Sequence, residues 1–206
     1  MGDRVVKVEG AAPRELRELA ASVRRTIEAM LAIGDASEEL VWAREKLDEV
    51  AARLERSHGT GPTPGAGGEV EPARERPFYI NGPVNSGHNP IVPLIEMESE
   101  GGVTRGKVSF GVAHEGPPGF VHGGFVAWLF DQVLGHNNVA AGLPALTGSL
   151  TVRYRKPTPL FTELRFEAQI ESARGRWVRA KGKLWAGDAL SASAEGLFVV
   201  PSPAGP

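Results

Sequence analysis

The sequence predicts an α+β fold in which an antiparallel sheet wraps around one long central helix, with an N-terminal helical hairpin. Six short segments with turn residues between them are typical of strands. One long segment between the second and third strands is apolar in nearly every direction around a helix, which is typical of a buried helix. An antiparallel sheet packed on that helix satisfies both patterns.

Two helices are expected before this domain. Apolar residues recur every three or four positions through residues 14–31. Asp35, with Glu38 three residues later, resembles a capping box for a second helix. We expect the two helices to form a hairpin that docks on an apolar surface.

The composition divides the chain into three parts. Residues 1–56 carry the helical hairpin. Residues 57–77 are rich in Gly, Pro and charge, which is typical of a flexible linker. Residues 78–206 form the α+β domain.

The strand pattern is clearest in the fourth predicted strand, where Leu164, Phe166, Ala168 and Ile170 alternate with charged and polar residues. We expect these four side chains to face the core. The predicted central helix spans 123–140, and the predicted strands are 92–99, 103–113, 146–156, 162–173, 176–186 and 189–200.

The charge balance excludes several classes of protein. The formal net charge is -2, so there is no basic excess for nucleic-acid binding. No apolar run is long enough to span a membrane and no signal peptide is evident, which favours the cytoplasm. The chain has no cysteine, which excludes disulfides and cysteine chemistry. The histidines outside the motif described next show no ligand spacing, so we expect neither a metal nor a cofactor.

The central helix, HGGFVAWLFDQVLGHNNVA, carries the candidate chemistry. Two glycines at its start leave N–H groups unpaired at the positive end of the helix dipole, where an oxyanion is stabilised. Asp131 lies among apolar residues, and a buried carboxylate is costly unless it is paired or used. The alternative is a structural Asp that caps a neighbouring strand or lies on an exposed stripe. His136 is expected to be a core or helix-end histidine.

The stretch GPPGFVHGGFVAWLFDQVLG, followed by TGSLTVRYRKPTPL, resembles the phenylacetate-degradation-type (4-hydroxybenzoyl-CoA thioesterase-like) thioesterases of the hot-dog superfamily. Their shared pattern is HGG, an Asp nine residues after the His, and a strand that ends in a basic residue and Pro. His122, Asp131 and Lys156-Pro157 match this pattern. The resemblance covers roughly residues 80–200.

This resemblance implies a hot-dog fold, acyl-CoA thioesterase activity, and a homodimer or dimer of dimers with the active site between subunits. Asp131 would act as general base, or alternatively as nucleophile. The N–H of Gly123 would polarise the thioester carbonyl, and Thr147 would help to orient water. His122 is used in some members and is mainly structural in others.

One position departs from the pattern of these relatives. Some of them carry an Asn six residues before the His, and here that position is Gly116. Glu115 or Asn89 would have to fill its role in holding water.

The same resemblance assigns substrate binding to glycines near the catalytic residues and to basic residues on the late strands. The basic residues would hold the phosphates of coenzyme A, although a solvated sheet face is the alternative. Trp177 would stack on adenine or simply cover an edge. The full set is Gly124, Gly148, Ser149, Arg153, Arg155, Arg174, Arg176 and Trp177.

Two other functions fit parts of the pattern. A hot-dog acyl-CoA dehydratase needs a paired His and acid, and the HGG…Asp spacing argues against it. A non-catalytic acyl-CoA-binding or assembly module is the second alternative, and Asp131 argues against that one.

Overall fold

The computed structural model describes residues 14–34, 38–57 and 89–201. The helices are α1 (Arg14–Ala32), α2 (Glu38–Ser57) and α3 (Gly123–Ala140), with a short 3-10 turn at Val112–His114. The strands are β1 (Ile95–Glu100), β2 (Val103–Val108), β3 (Leu146–Tyr154), β4 (Leu164–Arg174), β5 (Trp177–Ala186) and β6 (Ala189–Val199).

The six strands form one antiparallel sheet in the order β1-β2-β4-β5-β6-β3. The chain leaves β2 near one edge, runs through α3, and enters β3 at the other edge. The helix therefore lies across the concave face of the sheet, and β1 and β3 are the two edge strands. This arrangement confirms the predicted hot-dog fold.

Helix α3 forms the centre of the core. Phe130, Leu129 and Leu134 are fully buried against the inner face of the sheet. A Cβ at Gly182 of β5 would lie 3.0 Å from the Phe130 ring, so the ring packs directly on the strand backbone. Full burial of each such side chain contributes roughly 1.5–3 kcal/mol.

The inward alternation predicted for the fourth strand is confirmed. Leu164, Phe166 and Ala168 are buried, and Ile170 is half-buried against the same core. The predicted central helix also matches α3 residue for residue.

The first two predicted strands were too long. The first begins at Ile95 rather than residue 92, and Pro93, which has no N–H to give to a ladder, precedes it. The second ends at Val108 rather than residue 113. Beyond Val108 the chain turns so that the ring of His114 packs edge-on against Phe110.

Helix α1 is attached to the sheet domain. Its Arg24 donates hydrogen bonds to the carbonyl oxygens of Asn89, at 3.1 Å, and Val92, at 3.4 Å. Ala20 of the same helix is buried. In contrast, α2 has no buried residue. The predicted cap at Asp35 and the predicted linker after Ser57 lie outside the described residues.

Within the described ranges, none of the helices combines the length and the apolar character needed to cross a bilayer.

Candidate active site

The start of α3 is organised by His122, which is its N-cap. The His122 backbone is extended, and its Nδ1 accepts a 3.0 Å hydrogen bond from the N–H of Gly124. This bond occupies the Gly124 donor. The N–H of Gly123 lies in the first turn, so it has no acceptor within its own helix. No other acceptor bonds to it among the described residues. Gly123 is therefore the donor left unbonded at this end of the dipole.

Tyr154, the last residue of β3, packs on Gly123. Its hydroxyl donates a 2.8 Å hydrogen bond to the Gly123 carbonyl oxygen. A Cβ at position 123 would lie 3.3 Å from the ring, so a side chain there would press on it. Tyr154 was not predicted as a site residue, although it stands two residues before the Lys156-Pro157 pair that was recognised.

Asp131 lies two turns further along α3 and is half-buried rather than fully buried. Its Oδ1 accepts a 2.7 Å hydrogen bond from the hydroxyl of Thr147 on β3. No backbone N–H in the described part of the chain bonds to this carboxylate. The structure therefore gives it no role as a strand cap, which was one of the two structural alternatives; the other was a place on an exposed stripe. Oδ2 remains available to a reacting water.

A β-bulge at Gly148 brings Thr147 to Asp131. Thr147 pairs with Phe198 and Ser149 pairs with Leu197, so Gly148 is unpaired between them. Side chains normally alternate between the two faces of a strand, so residues 147 and 154 would face opposite sides of the sheet. The extra residue of the bulge shifts this alternation by one position, so Thr147 and Tyr154 both face α3. Ser149 faces away from the helix, so within one chain the structure does not bring it to Asp131.

The loop before α3 explains why Gly116 stands where relatives carry Asn. A Cβ at Gly116 would lie 2.7 Å from the Cα of His122, so no larger residue fits without moving the backbone. The two suggested replacements are engaged locally. Glu115 accepts a 2.6 Å hydrogen bond from the N–H of Gly119, and Asn89 accepts one from the N–H of Ile91.

The predicted coenzyme A arginines form two groups rather than one. Arg153 and Arg155 lie at the end of β3, where Arg153 pairs with Glu195 across the outer face. Arg174 and Arg176 lie at the β4–β5 turn, beside the exposed Trp177. The strand registers separate the two groups by about seven residues, or roughly 20 Å. A single chain does not bring them together.

A cavity of about 850 Å³ lies apart from this site, over strands β1, β2, β4 and β5. Its cations are already paired with carboxylates: Arg105 with Glu167, and Arg165 with Asp188. The mixed charge does not suit a polyphosphate.

One geometric fact limits what a single chain can do. Gly123 and Asp131 are eight residues apart on one helix, which is about 12 Å along its axis. A thioester carbonyl cannot contact both the unbonded N–H of Gly123 and a water held by Asp131 of the same chain.

Comparison with known proteins finds a family match over the residues of this site. The model of the thioesterase superfamily matches residues 118–192. Acyl-coenzyme A thioesterase THEM4 of Xenopus laevis is 34% identical over 41% of this chain and 39% of its own length. THEM4 of Mus musculus is 36% identical over 32% of this chain and 28% of its own length. The chain thus spans well under half the length of these curated relatives.

Solved structures of thioesterase superfamily proteins are also similar to this chain. Protein RHA08564, a thioesterase superfamily protein, is 28% identical, with 96% of each chain covered and a TM-score of 0.81. The smu.793 protein of Streptococcus mutans UA159, solved bound to acetyl CoA, is 21% identical over 52% of this chain and 89% of its own, with a TM-score of 0.50. This second likeness concerns the fold alone.

Proposed function

We propose, on the premise that residues 118–192 belong to the thioesterase superfamily, that this chain hydrolyses the thioester bond of an acyl-coenzyme A. One observation carries the proposal. Asp131 has one oxygen held by Thr147 and the other open to water, on a helix whose first N–H is also unbonded. Thioester hydrolysis needs these two elements, a base for water and a donor for the oxyanion.

The chemistry follows from these two elements. Asp131 Oδ2 accepts a proton from water as the water oxygen bonds to the thioester carbon. The N–H of Gly123 stabilises the negative charge that develops on the carbonyl oxygen. The tetrahedral intermediate then breaks its carbon–sulfur bond, and the proton held by Asp131 passes to the departing thiolate. The products are a carboxylic acid and the free thiol of coenzyme A.

The hydrogen bond from Thr147 favours the general-base role of Asp131 over the nucleophilic one. A hydroxyl that donates to Oδ1 fixes the carboxylate plane, so Oδ2 points consistently at one water position. The base role needs only a proton transfer. Attack by the carboxylate would require Asp131 itself to reach the substrate carbon and to form an anhydride.

The site is completed by a second copy of the chain. Strand β3 is a nine-residue edge strand with exposed or half-buried side chains, including Leu146 and Tyr154. Such an edge is open to pairing with another strand. Antiparallel pairing of two β3 strands would place the Thr147 end of one opposite the Tyr154 end of the other. Asp131 of one chain would then face the partner subunit's Gly123.

The same pairing accounts for the divided arginines. Arg153 and Arg155 of one chain would lie beside the end of the sheet that carries the partner subunit's Arg174 and Arg176. The four cations and Trp177 would then form one surface for the phosphates and adenine of coenzyme A. The partial likeness to acyl-coenzyme A thioesterase THEM4 of Xenopus laevis supports this substrate class.

Thiol release from a panel of acyl-CoAs tests the proposed function. We expect turnover of at least one member, together with saturation in substrate concentration. Binding without thiol release would instead indicate the acyl-CoA-binding module. Conversion of a 3-hydroxyacyl-CoA to its enoyl form without release of thiol would indicate the dehydratase.

A further inference from the structure

Helix α2 carries an apolar seam that is left uncovered in the described part of the chain. Its side chains recur at alternating spacings of three and four residues, which is the heptad repeat of a coiled coil. Three of them, Leu47, Val50 and Leu54, are between 45% and 48% exposed, and no residue of this helix is buried. In heptad notation the a positions are Leu40, Leu47 and Leu54, and the d positions are Ala43 and Val50.

Helix α1 of the same chain does not cover this seam. Helices in proteins gain most of their stability by packing an apolar face against a neighbour. Helix α1 does so against the sheet domain, since Ala20 is buried and Arg24 bonds to the carbonyl oxygens of Asn89 and Val92. The seam of α2 has no such neighbour among the described residues. We therefore searched its sequence for the kind of surface that would cover it.

The narrow seam suits another helix with the same repeat. From Ala43 to Ser57, every apolar residue larger than alanine lies at an a or d position. A helix packed on a globular core uses a wider apolar stripe, whereas a strict a/d seam is typical of a coiled coil. In a coiled coil each seam side chain inserts between four residues of the facing helix. Helix α2 of a second copy offers that repeat, and a two-fold pair uses the same surface twice.

The charges beside the seam favour a parallel pair. In a parallel pair a residue at g lies beside a residue at e in the next heptad of the other helix. Lys46 then lies beside the partner subunit's Ala51, and Glu39 lies beside the partner subunit's Arg44. In an antiparallel pair the g positions face one another, so Lys46 would face another Lys46 or Arg53. Contact between like charges is unfavourable, and the parallel pair avoids it.

We propose that α2 pairs in parallel, through this seam, with α2 of a second copy of the chain. The leucines at the a positions meet layer by layer, with Ala43 and Val50 between them. This contact is separate from the β3 edge, which the proposed active site uses. It goes beyond the proposed thioester hydrolysis and does not depend on it.

Disulfide crosslinking of the full-length protein tests this contact. The chain has no cysteine, so every disulfide comes from the introduced residue. Val50→Cys places a thiol at a d position, where the Cβ atoms of a parallel pair face each other, and a disulfide needs these atoms about 3.8 Å apart. Glu45→Cys is the matched control, because position f points away from the seam. We expect Val50→Cys to crosslink at least about tenfold faster at micromolar protein, since pairing raises the effective thiol concentration.

Further variants test the orientation and the seam. Leu54→Cys lies near the end of α2, so it crosslinks to itself only when the two helices are parallel. Leu47→Glu, added to Val50→Cys, should remove the crosslink. Val41→Glu, added in the same way, should leave it, because Val41 is 53% exposed and lies off the seam. No residue of α2 is buried, so the unfolding midpoints of all variants should match.

Molar mass from light scattering across a dilution series gives an independent measurement. Leu47→Glu, without any cysteine, should dissociate to smaller species at a concentration at least about tenfold above that of the wild type, because each pair loses two packed leucines. Val41→Glu should dissociate as the wild type does. Equal masses for Leu47→Glu and the wild type at every concentration would contradict the proposed pairing.

The other outcomes decide between occupants of the seam. Equal crosslinking rates for Val50→Cys and Glu45→Cys would overturn the pairing of α2 with itself. If Leu47→Glu lowered the mass while Val50→Cys formed no crosslink, another surface of the second copy would cover the seam, and the proposal would be wrong. A Leu54→Cys protein that does not crosslink would exclude the parallel orientation. Failure of the wild type to release thiol from any acyl-CoA would remove the proposed function and leave these results unaffected.

Discussion

The hydroxyl of Thr147 donates a 2.7 Å hydrogen bond to Oδ1 of Asp131, across the space between edge strand β3 and helix α3. The bond depends on the bulge at Gly148, which turns Thr147 towards the helix. One carboxylate oxygen is fixed and the other is left open. The sheet therefore orients a side chain that the helix supplies.

Thr147→Val should lower kcat about tenfold with little change in KM. Valine keeps the shape of the side chain and removes the donor, so Asp131 loses its orientation but not its charge. Thr147→Ser keeps the hydroxyl and should retain most of the activity. Thiol-release kinetics on the three proteins checks this, and equal kcat values for the Val variant and the wild type would remove Thr147 from the mechanism.

Asp131→Asn should lower kcat by at least roughly 100-fold while acyl-CoA affinity is largely kept. The amide is nearly isosteric with the carboxylate but cannot take a proton from water at neutral pH. Asp188→Asn makes the same chemical change in the exposed β5–β6 turn and should have no effect. A kcat within about threefold of the wild type in the Asp131 variant would show that this carboxylate is structural.

Arg24→Met should destabilise the protein by about 1–3 kcal/mol, because the carbonyls of Asn89 and Val92 lose a charged donor. Arg25→Met is the matched control, since exposed Arg25 bonds only to Ser22 of its own helix among the contacts described. The measurement is the urea midpoint of both variants. Equal midpoints would indicate that α1 contributes no stability through the Arg24 contacts. The stability of the domain from residue 78 would then not depend on these contacts.

Stability should fall as the pH is lowered from about 7.5 through the ordinary histidine pKa of about 6.5. Burial lowers the pKa of His114, an effect that hydrogen bonds to the Ile91 and Gly111 carbonyls partly offset. Burial also lowers the pKa of His136. Both bind protons less readily in the folded protein than in the unfolded chain, which takes up protons below about pH 6.5, so acid favours unfolding. Thermal melts across this range check the slope, and His136→Leu should make it shallower.

The sequence predicted the parts of this structure that depend on local pattern. The period-two alternation at Leu164, Phe166 and Ala168 and the all-round apolar surface of α3 each have one stable solution, a sheet wrapped on a buried helix. The spacing of His122 and Asp131 could also be recognised from the sequence, because His122 caps the helix that contains Asp131.

The parts that the sequence did not predict depend on contacts between distant segments. The bulge at Gly148 became evident only from the β3–β6 register, although a glycine inside a strand is a general sign of one. Tyr154 contacts Gly123 across 31 positions of the chain, and no periodicity reports such a contact. The early end of β2 followed from the packing of Phe110 and His114.

The proposed division of the site between two chains requires a variant that removes the oxyanion donor alone. Gly123 is the first residue of α3, a position where helices accept proline, and the extended backbone of His122 suits a residue before proline. Gly123→Pro deletes the N–H, while Gly123→Ala adds a similar Cβ against Tyr154 and keeps it. The Pro variant should lose roughly 100-fold to 1000-fold more kcat than the Ala variant.

Heterodimers of an Asp131→Asn chain and a Gly123→Pro chain, purified through two different affinity tags, then decide where the site lies. Each homodimer lacks one element in both of its sites and should be nearly inactive. If Asp131 acts with the partner subunit's Gly123, the heterodimer contains one site with both defects and one that is intact. Its kcat should therefore recover to about half of the wild-type value. A heterodimer as inactive as the two homodimers would show that both elements act within one chain, and the pairing of β3 strands would no longer explain the site.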